Sequence, residues 1–175
     1  MNDIGFNGQH FVDLDDNKIN FLFKLYPWEW MMEEPFFPYI HNASVKILEP
    51  AWKMVLSNKG MMALLFEKYP NHPYLLPTYF EPHTNLGRNY VKKPFYSREG
   101  TNIVLNIDGQ VYRTEEEENP GGIIYQATHL LPQFENIWTH LGCWISGNQA
   151  CGLAIREDNT PITKDTSHFV PHYIA

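Results

Sequence analysis

The chain has 175 residues, 43% of them hydrophobic and 15% aromatic. That is enough for one ordinary domain burying about two-thirds of its unfolded surface. A formal net charge of −7 excludes an extended nucleic-acid footprint, which needs a basic face, and no run approaches the ~20 uncharged apolar residues of a membrane span.

The start, Met1-Asn2-Asp3-Ile4-Gly5, has neither the basic n-region nor the apolar h-region of a signal peptide, so a soluble cytoplasmic protein is expected. Two strand-like runs, 9–14 and 19–24, flank Asp15-Asp16-Asn17-Lys18, and this turn chemistry predicts a hairpin. Pro27 then opens a short helix within 25–34, where Trp28 and Trp30 read as core. Residues 50–56 suit a second short helix. Ser57-Asn58 is expected to cap a third over 59–69, whose apolar positions 61, 62, 64, 65 and 69 fit a face lying on a core.

Residues 74–88 form a connector without strong periodicity. Residues 89–93 read as a strand, and 102–106 with 110–113 as a hairpin turned at Ile107-Asp108-Gly109. The four glutamates at 115–118 repel one another and predict a solvated acidic loop running to Gly122, without a metal site. A strand follows over 123–127, broken at Leu130-Leu131-Pro132. Further strands around 137–146 and 151–156 join through Gly147-Asn148-Gln149. Cys143 and Cys151 lie in this region and are expected to be reduced. The order predicts an α+β fold, mostly antiparallel sheet with packed helices, not a doubly wound one.

The sequence has no GxxxxGK[ST], GxGxxG, GxSxG or HExxH. What remains is a set of cations near strand ends and glycines. Lys59 begins a helix, Lys93 ends a strand, Arg98 opens a turn and Arg156 ends a late strand. Singly, each reads as a surface charge. Together they suit phosphoryl chemistry, in which catalysis is largely positioning and neutralising phosphate oxygens.

Several phrases carry a resemblance: Phe23-Lys24-Leu25-Tyr26-Pro27-Trp28-Glu29-Trp30-Met31, Glu49-Pro50-Ala51-Trp52-Lys53, Leu56-Ser57-Asn58-Lys59-Gly60 and Asn71-His72-Pro73-Tyr74-Leu75-Leu76. Lys93-Pro94 with Arg98-Glu99-Gly100, Ile124-Tyr125-Gln126 and Ile155-Arg156-Glu157-Asp158 follow in order. The chain resembles the glutathionylspermidine synthase family. The resemblance implies an ATP-grasp fold, with two α+β lobes holding ATP, and ligation of a carboxylic acid to an amine through an acyl phosphate. The acid would be peptide-like, of the glutathione class, and the amine a polyamine.

Carried over position by position, the resemblance makes Lys59 and Lys93 nucleotide-contacting lysines, and Glu99 and Gly100 a phosphate-covering turn. Gln126, Ala127, Thr128 and His129 become the strand-to-hinge stretch meeting the adenine, largely through backbone groups. Arg156 becomes a phosphate-side cation, and Pro161, Ile162 and Thr163 a nearby loop. Two positions depart from the pattern. Ser97 stands where glycine is expected and would be strained by a positive φ, and His129 stands where an apolar or aromatic residue is usual.

The resemblance further implies that the Mg²⁺ ligands and the acid-substrate site lie upstream. Residues 1–175 are then expected to be the C-terminal portion of a larger synthetase fold, with no metal ligands of their own. Such a chain would supply nucleotide-binding residues and be inactive alone. The alternatives are a non-catalytic nucleotide-binding module, or an interaction module that associates with the missing half or with itself.

Overall fold

The structure, a computed structural model, describes residues 3–115 and 121–173. It divides into two compact units, Met1–Asn58 and Lys59–Ala175. Of the expected acidic loop, residues 116–120 lie outside the described residues.

In the N-terminal unit, β1 (Gly5–Phe6) pairs antiparallel with β2 (Phe11–Val12). The following turn forms as its residues dictate: Asp13 Oδ1 accepts from the N–H groups of Asp15 and Asn17 at 3.0 and 2.9 Å. The predicted hairpin does not follow from it. Only a single bridge, Val12 to Lys18, continues across the turn. Instead β3 (Phe21–Phe23) pairs in parallel with β4 (Lys46–Leu48). A parallel return needs a connection of a dozen or more residues. That connection holds α1 (Trp28–Met31), with Pro27 as its N-cap, and a 3₁₀ turn at Phe37–Tyr39.

The core here is aromatic. Phe6 stacks on Tyr39 with centroids 4.4 Å apart, and Phe11 meets Phe36 edge-on at 5.9 Å. Trp28 is buried at 6% exposure, as expected, but Trp30 is 54% exposed. The second short helix is a 3₁₀ turn, Ala51–Lys53, leading into α2 (Met54–Ser57).

The C-terminal unit opens with α3 (Gly60–Lys68), whose N-cap position is Lys59 rather than Ser57 or Asn58. Its buried positions are the small Gly60 and Ala63, whereas Leu64 and Tyr69 are about half exposed, at 51% and 49%. The expected broad apolar contact is therefore replaced by a close approach through small residues. Next come β5 (Thr78–Tyr79), β6 (Tyr90–Pro94), β7 (Val104–Ile107), β8 (Gln110–Arg113) and β9 (Ile123–Ala127). They form an antiparallel sheet in the order β5-β9-β6-β7-β8. The β7–β8 turn carries positive φ at Asp108 and Gly109, the signature of a primed hairpin turn. Asn89 braces it through two side-chain bonds with Asp108, at 3.0 and 2.8 Å.

A second antiparallel sheet follows in chain order: β10 (Gln133–Phe134), β11 (Ile137–Ser146), β12 (Gln149–Asp158) and β13 (His168–Val170). The β11–β12 turn uses positive φ at Gly147 and Asn148. Both cysteines are free and exposed. The mixed α/β composition, with antiparallel sheets and few helices, agrees with the expected class. The short strands β5, β10 and β13 are additions: each has two or three residues and no periodicity to reveal it. Among the described residues no helix is long and apolar enough to cross a membrane.

Ile124, on β9, is 1% exposed in a close-packed sheet face. Ile124→Ala is expected to lower the stability of this unit by about 2–4 kcal/mol through lost transfer energy and a residual cavity. Urea denaturation followed by fluorescence checks this.

Candidate functional site

One face of the five-stranded sheet carries Val91, Lys93, Leu105 and Gln126, because alternate residues of a strand share a face. Val91, Ile103 and Leu105 form a buried cluster that is completed by Ile162, from the loop between β12 and β13. Through that contact the second sheet's loop becomes one wall of a cleft of about 440 Å³. The twelve residues that the resemblance assigns to nucleotide binding all line it, Lys59, Lys93, Glu99, Gly100, Gln126, Ala127, Thr128, His129, Arg156, Pro161, Ile162 and Thr163, whereas Arg98 is not among the lining residues.

Lys93 is held by a relay. Its Nζ donates to Gln126 Oε1 at 2.8 Å, Gln126 Nε2 donates to Thr78 Oγ1 at 2.9 Å, and Thr78 Oγ1 donates to the Leu76 carbonyl at 2.8 Å. Each polar atom of this buried chain is thereby matched. Burial lowers the Lys93 pKa from its ordinary value, since desolvation disfavours the charged form. The Gln126 side chain thus orients a lysine.

The loop between β6 and β7 turns at Arg98–Thr101, where the Thr101 N–H donates to the Arg98 carbonyl at 2.9 Å. Its central residues, Glu99 and Gly100, have φ of 53° and 77°. Ser97 is not among the positive-φ residues, so the strain expected there is absent. Ser97 instead accepts from Lys59 Nζ, at its carbonyl and, at 2.9 Å, at its hydroxyl oxygen. Gly100 has a stricter requirement: a Cβ there would come 2.6 Å from the Thr163 carbonyl oxygen. The Gly100 carbonyl also accepts from Thr114 Oγ1.

The opposite wall is shaped by Asp158. Its Oδ1 accepts from the Thr160 N–H and Oγ1, both at 2.8 Å, and its Oδ2 accepts from Ser167 Oγ at 2.6 Å. Burial alone would raise this carboxyl's pKa. The hydrogen bonds from Ser167 and Thr160 and the Lys164 charge outweigh it and leave the group below its usual range. Arg156 Nη2 donates to the Lys164 carbonyl, and its guanidinium lies 4.9 Å from the Phe169 ring centroid.

Two findings go beyond the sequence reading. The N–H groups of Ala127 and Thr128 donate to the carbonyls of Pro77 and Asn89, at 2.8 and 3.3 Å, so neither is a free hinge donor. His140 also lines the cleft, directly opposite Arg156 across β11 and β12. The late hairpin would have suggested its neighbourhood, but the register needed to place it depends on a bulge at Trp144/Ile145.

Chemically, the cleft combines an apolar floor with cations from three separate segments. Thr128 Oγ1 and Arg156 Nε are buried and have no hydrogen-bond partner within the described structure. Such atoms in a cleft fit a polar ligand that completes them.

A family model described as glutathionylspermidine synthase pre-ATP-grasp matches residues 1–175, and the chain belongs to that family. The match is coarser than the ATP-grasp lobe expected from the sequence. The chain is 42% identical over 187 aligned positions to a Haemophilus influenzae protein whose name assigns it provisionally to the acid–amine ligases, covering 100% of this chain and 47% of that protein. It is 31% identical to a trypanothione synthetase of Crithidia fasciculata, over 69% of this chain and 19% of that one. To a bifunctional glutathionylspermidine synthetase/amidase of Escherichia coli it is 28% identical, over 73% of this chain and 21% of that one. The chain thus spans less than half the length of these curated relatives.

Two outcomes test the geometry. Gly100→Ala is expected to destabilise the unit by about 1–3 kcal/mol, because the left-handed φ and the Thr163 carbonyl both oppose a Cβ; thermal unfolding measures this. A carboxyl with a lowered folded pKa stabilises fully above its unfolded value and loses that contribution as pH falls through the folded one. Stability should therefore drop as pH falls below 3.8, and Asp158→Asn should flatten that part of the pH profile in urea titrations.

Proposed function

We propose that the cleft binds ATP and that the chain supplies the nucleotide-binding part of an ATP-grasp acid–amine ligase. The carrying observation is that Lys59, Lys93 and Arg156, distant in sequence, line one cleft with an apolar floor. The adenine lies on Val91, Leu105 and Ile162, and the phosphates meet the cations. Lys93 stays aimed because Gln126 fixes its ammonium. Lys59, joined to Ser97, moves with the Glu99–Gly100 turn that covers the phosphates. Such positioned charges act where negative charge accumulates as a phosphoryl group is transferred to a carboxylate.

In this reading the acid is peptide-like, of the glutathione class, and the amine a polyamine, as the relatives' names suggest. Mg²⁺, where bound, would supply further neutralisation of the phosphate charge. Its ligands are assigned, by the family resemblance alone, to a segment outside residues 1–175. The isolated chain then binds nucleotide without completing the ligation.

Calorimetry with ATP should show binding. Lys93→Met should weaken it roughly 10- to 150-fold, the equivalent of losing a charge-assisted hydrogen bond of about 1.5–3 kcal/mol. Absence of nucleotide heat, or an unchanged Kd in the variant, would sink the proposal. Turnover by the chain alone with glutathione, spermidine, ATP and Mg²⁺ would overturn the assignment of the remaining machinery to another segment.

A further inference from the structure

Lys92 and Lys93 are consecutive on β6, so the pleat sends them to opposite faces of the five-stranded sheet. Lys93 faces the cleft described above. Lys92 lines a separate cavity of about 370 Å³, together with His83, Tyr90, Val104, Arg113 and Tyr125. Strand register puts Tyr79, Tyr125, Lys92, Val104 and Arg113 in one row across all five strands. The backbones of Lys92 and Arg113 therefore stand two strand spacings apart, about 10 Å, with the apolar Val104 between them.

The side chains of Lys92 and Arg113 make no hydrogen bond or ion pair with any described residue. In a chain of net charge −7, two such cations in one concavity form a local positive site. The Tyr90 and Tyr125 rings lie 6.2 Å apart, and the His83 ring stacks on Tyr79 at 4.0 Å. His83 Nδ1 accepts from the Asn85 N–H at 3.1 Å, so the neutral ring carries its proton on Nε2, as a further donor.

We infer that this cavity binds a small organic dianion, two acidic groups joined by a short apolar spacer. The spacer lies over Val104, and the acidic groups meet Lys92 and Arg113 on either side of it. A monoanion leaves one cation uncompensated, and an inorganic anion makes no use of the apolar middle. The site lies on the sheet face away from the nucleotide cleft and does not rest on the proposed ATP site.

The test is calorimetry of the 175-residue chain at low salt, with glutarate as the dianion and acetate as the monoanion. Glutarate should bind at least tenfold more tightly than acetate. Lys92→Gln and Arg113→Gln should each weaken it tenfold or more, whereas Lys93→Met leaves it unchanged. Both ligands binding alike, no glutarate heat, or full glutarate affinity in both variants would overturn the inference. Unfolding midpoints confirm that the variants are folded. Should one fail to fold, glutarate-induced amide shifts in the wild-type chain decide. Shifts centred on residues 83, 92, 113 and 125 uphold the site, and shifts centred on the nucleotide cleft refute it.

Discussion

The insertion of Ile162 into the cluster of Val91, Ile103 and Leu105 is the contact on which the candidate site depends. Without it the two antiparallel sheets of the C-terminal unit would have no common wall, and Arg156 and Lys93 would belong to separate surfaces. Burying one isoleucine is worth about 1.5–3 kcal/mol, modest beside the entropy of ordering a nine-residue loop. Hydrogen bonds supply the rest of the order. Asp158 gathers Thr160 and Ser167, which holds the shape of the loop that carries Ile162. Gly100 then lets the turn from the first sheet come within contact of the Thr163 carbonyl.

A different device positions charge. The relay from Lys93 through Gln126 and Thr78 to the Leu76 carbonyl crosses three strands of one sheet. Burial acts against the lysine's charge, and the group it donates to, Gln126, is a neutral amide. A group held under that electrostatic cost gains when an anion arrives, because the ligand supplies the charge the fold withholds. The same sheet presents Lys92 on its other face, where two tyrosines and Arg113 set a different chemistry. Strand alternation thus turns two consecutive lysines of one strand to opposite faces of the sheet.

Much of the C-terminal unit was legible in the sequence because its signals are local. Asp108-Gly109 and Gly147-Asn148 adopt the positive φ that such pairs favour, so both hairpins could be read from their turns. The N-terminal unit was less legible. Its turn at residues 13–17 formed, but the strand after it paired in parallel with β4, 25 residues further along by register, and turn chemistry carries no information about so distant a partner. The α3 face failed for a related reason: helical periodicity identifies which residues could be buried, not whether close contact through Gly60 and Ala63 will leave the larger ones exposed.

By itself the sequence determined the longer strands and hairpins of the second half, the family likeness and twelve of the positions that line the cleft, since residue type, order and spacing are properties of the chain. Only the tertiary structure decided how those positions work. Gln126 became the partner of a lysine, Ser97 the anchor of another, and the backbone donors of Ala127 and Thr128 were taken by Pro77 and Asn89. Most telling is the late hairpin. Counted back from its turn, Arg156 would face Thr139, but the bulge at Trp144/Ile145 shifts the register by one and brings His140 opposite it. A one-residue slip exchanges the two faces of a strand, and whether it occurs is set by packing along the whole ladder, which no local run of residues encodes.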